Sequence, residues 1–225
     1  MLEDLAVVIP VRLGSSRIRH KALLPFGNMN LLEWKIRQIL EIMPPSRVFV
    51  STESEELSAI AKKCGVRVHR RDRYLAIGHK ASFSEVIVGI VRDIEFAHIA
   101  WVTAVVPLMK PREYQEAFRI YAKCVVGEQR YDSLFSANLL KEYFWDSTKP
   151  INYQANRHHT ISQELPDIFR VTNGLYMRDR ESILKDGYFL GKNPYRFCVS
   201  KLAGIDIDEY EDYEIARTLL SLYRG

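Results

Sequence analysis

The run Leu5-Ala-Val-Val-Ile-Pro10 constrains the fold most, because it is apolar and partly β-branched with no polar alternation. A strand that faces water alternates. A strand without a polar side must be covered on both faces, as inside a parallel sheet. The next segments supply the cover. Leu32, Ile36, Ile39, Leu40 and Met43 share one helical face, and Pro44-Pro45 ends that helix. Residues 47–52 read as a second strand. Residues 52–65 read as a helix that begins with Thr52 and Glu55 at capping-box spacing and ends at Gly65. Residues 66–69 make a third short strand.

The alternation continues. Ser82, with Glu85 three residues on, predicts the N-cap of a helix over 82–94. Strands are expected at 98–107, 133–138, 171–177 and 201–208, and helices at 111–123 and 211–223. This order predicts an α/β fold, a mostly parallel sheet flanked by helices. The 225 residues suit a single domain over 1–225. The rhythm breaks over 139–168, which holds Tyr143, Phe144, Trp145, Tyr153 and His158-His159 with little periodicity. That is too long for an ordinary loop. Its aromatics need cover, so we expect an inserted arm that packs against a partner subunit.

A net charge of +4 is far from the dense basic stripe of a nucleic-acid binder, so no nucleic-acid partner is expected. Cys64, Cys124 and Cys198 form no CxxC pair and no zinc spacing. They read as reduced thiols of a cytoplasmic protein, two or three of them in cores. No segment approaches the ~20 apolar residues of a membrane span, and the first residues, with Glu3 and Asp4, do not resemble a signal peptide.

Ligands of open parallel sheets bind beyond the carboxyl ends of the strands. After the first strand come Arg12, Gly14, Ser15, Ser16, Arg17 and, close behind, Lys21. Gly14 lets the backbone approach a ligand, and the amides, hydroxyls and cations suit phosphate oxygens. Neither GxxxxGK[ST] nor GxGxxG is present. Taken alone, the loop is equally compatible with a solvated surface. Near the other end, Asp206 and Asp208 stand two apart, on the same side of a predicted strand. They could share Mg²⁺, which prefers oxygen ligands together with substrate phosphates. The alternative is a polar edge, or an N-cap with Asp208 facing the amides of the following helix. Together the loop and the pair describe a cradle for a nucleoside triphosphate and its metal. The basic run 67–73 reads mainly as solvated surface, and Trp34, Trp101 and Trp145 as packing residues. No Ser-His-Asp order or nucleophile elbow is apparent.

The stretch Ile9–Gly27, IPVRLGSSRIRHKALLPFG, resembles the signature of the acylneuraminate (CMP-sialic acid synthetase-type) cytidylyltransferases. VFVSTESEELSAIAKKCGVRV, QELPDIFRVTNGLYM and GIDIDEYEDYEIA follow in the family's order, so the resemblance covers nearly the whole chain. It implies a nucleotide-diphospho-sugar transferase-like fold, usually a homodimer whose arm reaches into the neighbouring active site. It implies transfer of CMP from CTP to the anomeric hydroxyl of an acidic nine-carbon sugar, with release of pyrophosphate. By resemblance, Arg12, Gly14, Ser15, Arg17, Lys21, Arg71 and Ser82 bind the nucleotide. Arg12, Lys21 and Asp208 act at the reacting phosphates, and Asp206 and Asp208 hold Mg²⁺. Thr103, Gln163, Asn173 and Gly174 form the acceptor site. The chain departs from the pattern at Ala22, usually Asn. Thr103 and Met109 stand where a Gln and an Arg usually help hold the sugar, and Ser162 stands where an Arg often precedes Gln163. Arg157, Arg170 or Lys110 are the candidates to replace the missing carboxylate partners. An eight-carbon ulosonate, another sugar acid or a phosphonate is an alternative acceptor, and a non-catalytic nucleotide-binding homologue is an alternative function.

Overall fold

The computed structural model describes residues 2–14, 17–77 and 80–224. Strand β1 (Leu5–Pro10) lies inside a seven-stranded sheet. It pairs in parallel with β4 (Val48–Thr52) on one side and β6 (His98–Val102) on the other. Its residues divide between two cores. Leu5, Val7 and Ile9 pack with one buried cluster, and Ala6 and Val8 with the other. An unalternating apolar run is therefore what this position requires. Two short strands, β2 (Pro25–Phe26) and β3 (Met29–Asn30), pair apart from the main sheet, and β5 (Arg67–Arg70) closes one edge beside β4.

Helix α1 (Leu31–Leu40) is capped by the Asn30 side chain, which accepts from the Glu33 amide. Helix α2 (Glu55–Lys63) is capped by Ser54 rather than Thr52, because β4 runs through Thr52. Gly65 beyond it takes φ +76°, as expected of a helix stop. Helix α3 (Phe83–Val91) begins with the complete Ser82–Glu85 capping box. Helix α4 (Pro111–Ile120) continues into a π-helical turn over Tyr121–Gly127.

The sheet is mostly parallel, as expected, with one strand reversed. Strand β8 (Ile168–Asp179) runs antiparallel to β6 and to β7 (Ser133–Leu140). β7 and β8 are joined without a crossover helix, as antiparallel neighbours can be. Residues 141–167 are the excursion between them. An edge strand not expected from the sequence, β9 (Pro194–Cys198), pairs in parallel with β7, and α5 (Arg180–Asp186) precedes it. The strand expected at 201–208 is absent. Residues 201–204 form turns instead, and 205–208 follow without a ladder partner. The closing helix is broken at Leu219 into α6 (Tyr210–Thr218) and α7 (Leu220–Arg224).

Three further expectations change. Only Cys124 is buried; Cys64 is half-buried and Cys198 exposed. Trp34 and Trp101 are packed, but Trp145 is 56% exposed on the excursion. The basic run splits, with Arg67 and Arg70 exposed and Arg71 buried. Among the described residues no helix is long and apolar enough to cross a membrane.

Candidate active site

A cleft of about 600 Å³ opens beyond the carboxyl ends of β1 and β6. Arg12 enters it from the loop after β1, with Nη1 donating to the Ala76 carbonyl at 3.1 Å. Arg71, just past β5, is buried and donates to the Val11 carbonyl and to Glu53. Its Nε is buried without a partner. Burial pulls the Arg71 pKa down, against the pull of Glu53. The same Glu53 accepts from the Leu13 amide at 3.4 Å, so one carboxylate steadies both the loop and its buried cation.

Lys21 and Arg17 converge on Asp208, which lines the same cleft. Arg17 Nη2 donates to Asp208 Oδ1 at 2.5 Å, and Lys21 Nζ lies 3.7 Å from the same oxygen while donating to the Ile207 carbonyl. The Arg17–Asp208 pair is half-exposed, and an ion pair of that kind is worth about 1 kcal/mol or less. A polyanion can therefore displace it cheaply. Burial lowers the Lys21 pKa, and Asp208 and Asp206 oppose the shift.

Both carboxylates reach the cleft, although no strand carries them. Ile207 is fully buried between them, with its amide donating to the Val105 carbonyl, so the residues on either side of it face the cleft. The N-cap alternative for Asp208 does not hold. The side chain that caps α6 is Asp212, which folds back to accept from the amides of Asp208 and Glu209. Asp206 Oδ2 accepts from Asn173 Nδ2 at 2.8 Å, and Oδ1 is buried with no partner. Burial raises the Asp206 pKa and Asp208 adds to the rise, while the Asn173 amide opposes it. An oxygen lone pair left unsatisfied beside a second carboxylate fits a hard cation such as Mg²⁺. Among the described residues no third His, Cys, Asp or Glu joins the pair, so substrate and water oxygens would complete the shell.

One wall of the cleft is aromatic. Phe83, Trp101, Tyr176, Tyr188 and Phe189 line it. Phe189 lies 4.1 Å from the Tyr176 ring and 4.7 Å from the Tyr188 ring, centroid to centroid. Arg178, buried on β8, holds this wall by donating to the carbonyls of Tyr188 and Leu190 and to Asp186. Gly187 takes φ +69° where α3 passes close by; a Cβ there would sit 2.1 Å from Ser84 Oγ. Sequence reading missed the whole wall. Its only local signal is the aromatic pair at 188–189 after an Asp-Gly turn.

The floor is held from behind. Lys35, fully buried in α1, donates to the Val106 carbonyl at 2.8 Å and to the Tyr114 hydroxyl at 2.7 Å. Trp34 and Gln38 donate to the Pro107 carbonyl, and Gln38 also to Met109. Three side chains of one helix thus fix the loop after β6.

Thr103, Asn173, Arg12, Arg71, Asp206 and Asp208 therefore share one cleft, with Lys21 beside Thr103 and Ala22 in an adjoining recess. Gly14 is exposed, and a Cβ there would touch nothing. Ser15 lies outside the described residues. Ser82 spends its hydroxyl as the α3 cap. Gly174 is buried instead, where a Cβ would meet Val106, Met109 and Ser136. Met109 itself is fully buried. Gln163 is exposed on the excursion. None of Arg157, Arg170 and Lys110 lines the cleft. A Ser-His-Asp line does occur, Ser51 to His69 at 3.0 Å and His69 to Asp93 at 3.1 Å. Ser51 is fully buried, so it serves the sheet and not a substrate.

A family model described as Cytidylyltransferase matches residues 6–220. The chain is 24% identical over 225 residues to an N-acylneuraminate cytidylyltransferase of Escherichia coli, covering 97% of this chain and 52% of that one. It thus spans about half the length of that relative. It is 22% identical over 224 residues to a pseudaminic acid cytidylyltransferase of Campylobacter jejuni, covering 94% of each. Among solved structures, a CMP:2-keto-3-deoxy-manno-octonic acid synthetase complexed with CTP superposes with a TM-score of 0.69 at 13% identity, over 98% of this chain and 99% of the other. That likeness is one of fold.

Proposed function

The chain belongs to the cytidylyltransferase family, and on that premise we propose that its cleft transfers CMP from CTP to a hydroxyl of an acidic sugar, with release of pyrophosphate. The observation that carries the reading is that Arg12, Asp206 and Asp208 line one cleft with an aromatic wall, and that Arg17 and Lys21 converge on its Asp208. Cations and a carboxylate pair suit a triphosphate, and an aromatic wall suits the apolar face and acyl substituents of a sugar. An acidic nine-carbon sugar is the acceptor we favour, and relatives covered along nearly their whole length are named for pseudaminic acid.

In this reading Arg17 and Lys21 let go of Asp208 as the triphosphate enters. Lys21 and Arg12 then offset the charge that grows on the leaving pyrophosphate. Charge neutralisation and positioning are the main sources of rate in phosphoryl-type transfer. The acceptor oxygen bonds to the α-phosphorus as the bond to the β-phosphate oxygen breaks, and the hydroxyl proton is lost to solvent. Asp206 and Asp208 would hold Mg²⁺, which when bound neutralises phosphate oxygens and makes the attacking hydroxyl more acidic. Arg71 holds the nucleotide side of the cleft, and Thr103 the acceptor side.

We further propose that residues 139–168 form a dimerisation arm. Trp145, Ile151 and Ile161 are each more than half exposed there, and a second copy is the cover we favour. Use of CTP would place the reaction in the cytoplasm. The test is a pyrophosphate-release screen that crosses the four nucleoside triphosphates with nonulosonates, ulosonates and phosphonates. CTP with a nonulosonate should give the fastest release. No release from any pair would end the enzymatic reading, and a solution mass of one chain would end the dimer.

A further inference from the structure

One residue of β8 has a backbone that a strand interior does not ordinarily contain. Asn173 takes φ +56°. Around it, two steps along β7 (Phe135 to Ala137) match five along β8 (Tyr176 to Val171), so the chain bulges toward the cleft. Bulges beside active sites re-aim side chains, and asparagine enters the left-handed region more readily than other non-glycine residues. Ser136 mends the gap by accepting from the Leu175 amide at 3.0 Å.

The bulge aims Asn173 at two partners. Nδ2 donates to Asp206 Oδ2 at 2.8 Å, and Oδ1 accepts from the Tyr176 hydroxyl at 2.6 Å. The amide orientation follows from chemistry: a carboxylate only accepts, so it must face the NH₂ group. The carbonyl end then faces Tyr176, whose hydroxyl must donate. Burial raises the Tyr176 pKa, which keeps that proton in place. The main chain is also tied, since Thr103 Oγ1 donates to the Asn173 carbonyl at 2.8 Å. With Oδ2 engaged, Asp206 has one oxygen left over, Oδ1, which has no partner.

We infer that Asn173 and Tyr176 form a bracket that orients Asp206 for a divalent cation. This rests on the nucleotidyl-transfer reading above and deepens it. Asn173, which resemblance places among acceptor contacts, becomes a positioning residue. Tyr176 gains a role through its hydroxyl, apart from its ring in the aromatic wall. Partners of this kind commonly change metal affinity by about 10- to 100-fold when removed.

Tyr176→Phe keeps the ring against Phe189 and removes only the hydroxyl. Asn173→Gly keeps access to positive φ and removes the side chain. The full-length protein is titrated with CTP by calorimetry, in EDTA and over a series of Mg²⁺ concentrations. In both variants the Mg²⁺ concentration that gives half of the metal-dependent tightening should rise about tenfold, while CTP affinity in EDTA stays within about twofold of wild type. If Asn173→Gly does not fold, Tyr176→Phe decides alone. Equal losses with and without Mg²⁺ would make the pair structural and overturn the bracket. No change in either condition would overturn it too. If wild type shows no Mg²⁺-dependent tightening, the metal reading falls and takes the bracket with it.

Discussion

Replacing Lys35 by Met separates two effects that burial has combined. The Lys35 amine is fully buried, donates to the Val106 carbonyl and the Tyr114 hydroxyl, and has Glu113 as its nearest opposing charge. Burial pushes its pKa well below the ordinary lysine value. Met fills a similar volume but leaves both partners without a donor, in a site where Tyr114 is also fully buried. An unsatisfied buried group costs about 1–3 kcal/mol, so the variant should be about 2–4 kcal/mol less stable at pH 9. The sign of the pH dependence follows from proton counting. Between the depressed folded pKa and the unfolded value near 10.4, the unfolded chain holds a proton that the folded chain lacks. Wild-type stability therefore rises with pH in that window, by up to about 1.4 kcal/mol per unit, and falls as pH drops through it. The Met variant lacks this term, so the stability difference should be smaller at pH 7 than at pH 9. Urea unfolding at pH 7, 8 and 9 measures it. Tyr114, pushed up by burial, stays protonated in the folded protein over that range. A difference that is constant, or larger at pH 7, would refute the argument, because it would mean that the amine stays charged inside the fold.

Arg12→Ala should lower kcat/KM for CTP by about 10²- to 10³-fold, as loss of a charge-stabilising donor does, with the unfolding midpoint little changed. Steady-state pyrophosphate release and a urea curve check both. Asp208→Asn releases Arg17 and Lys21 from a half-exposed pair, so stability should change by about 1 kcal/mol or less. Transfer should nonetheless be lost, and wild-type turnover would remove Asp208 from the mechanism. Arg178→Met strips the donors from the Tyr188 and Leu190 carbonyls and should cost about 2–3 kcal/mol. It should also raise KM for the acceptor more than KM for CTP. Gly187→Ala should destabilise by more than the ~1–2 kcal/mol of a left-handed alanine, because the new Cβ meets Ser84 Oγ at 2.1 Å. Adding Ser84→Ala should recover most of the excess, because it removes Oγ and leaves only a Cβ contact at 3.3 Å, as paired melts would show.

The cradle has two halves that approach from opposite ends of the chain. Arg17 and Lys21 follow the first strand, and Asp208 stands nearly two hundred residues on. Their pairing places opposite charges at the mouth of the cleft and keeps both sets solvated or paired, so neither suffers a buried unpaired charge before substrate arrives. The deeper groups, Arg71 and Asp206, are each left with one buried atom unsatisfied. Both residues line the same cleft.

The chain's own pattern determines the strand covered on both faces, the Ser82 cap, the stop at Gly65 and the two charged segments of the site. Each depends on neighbours within one turn or one strand, and short-range periodicity records such neighbours directly. Asp206 and Asp208 face the cleft on either side of the buried Ile207, even though no ladder forms there. Only the tertiary structure decided that β8 runs antiparallel, that its bulge turns Asn173 onto Asp206, and that Lys35 grips the loop beneath the cleft. It also moved Met109 and Gly174 into the core, gathered Phe83, Tyr176, Tyr188 and Phe189 into one wall, and left Trp145 outside. The physical reason is the same in each case: these contacts join residues far apart in sequence, and the long-range register that brings them together leaves no local period to read.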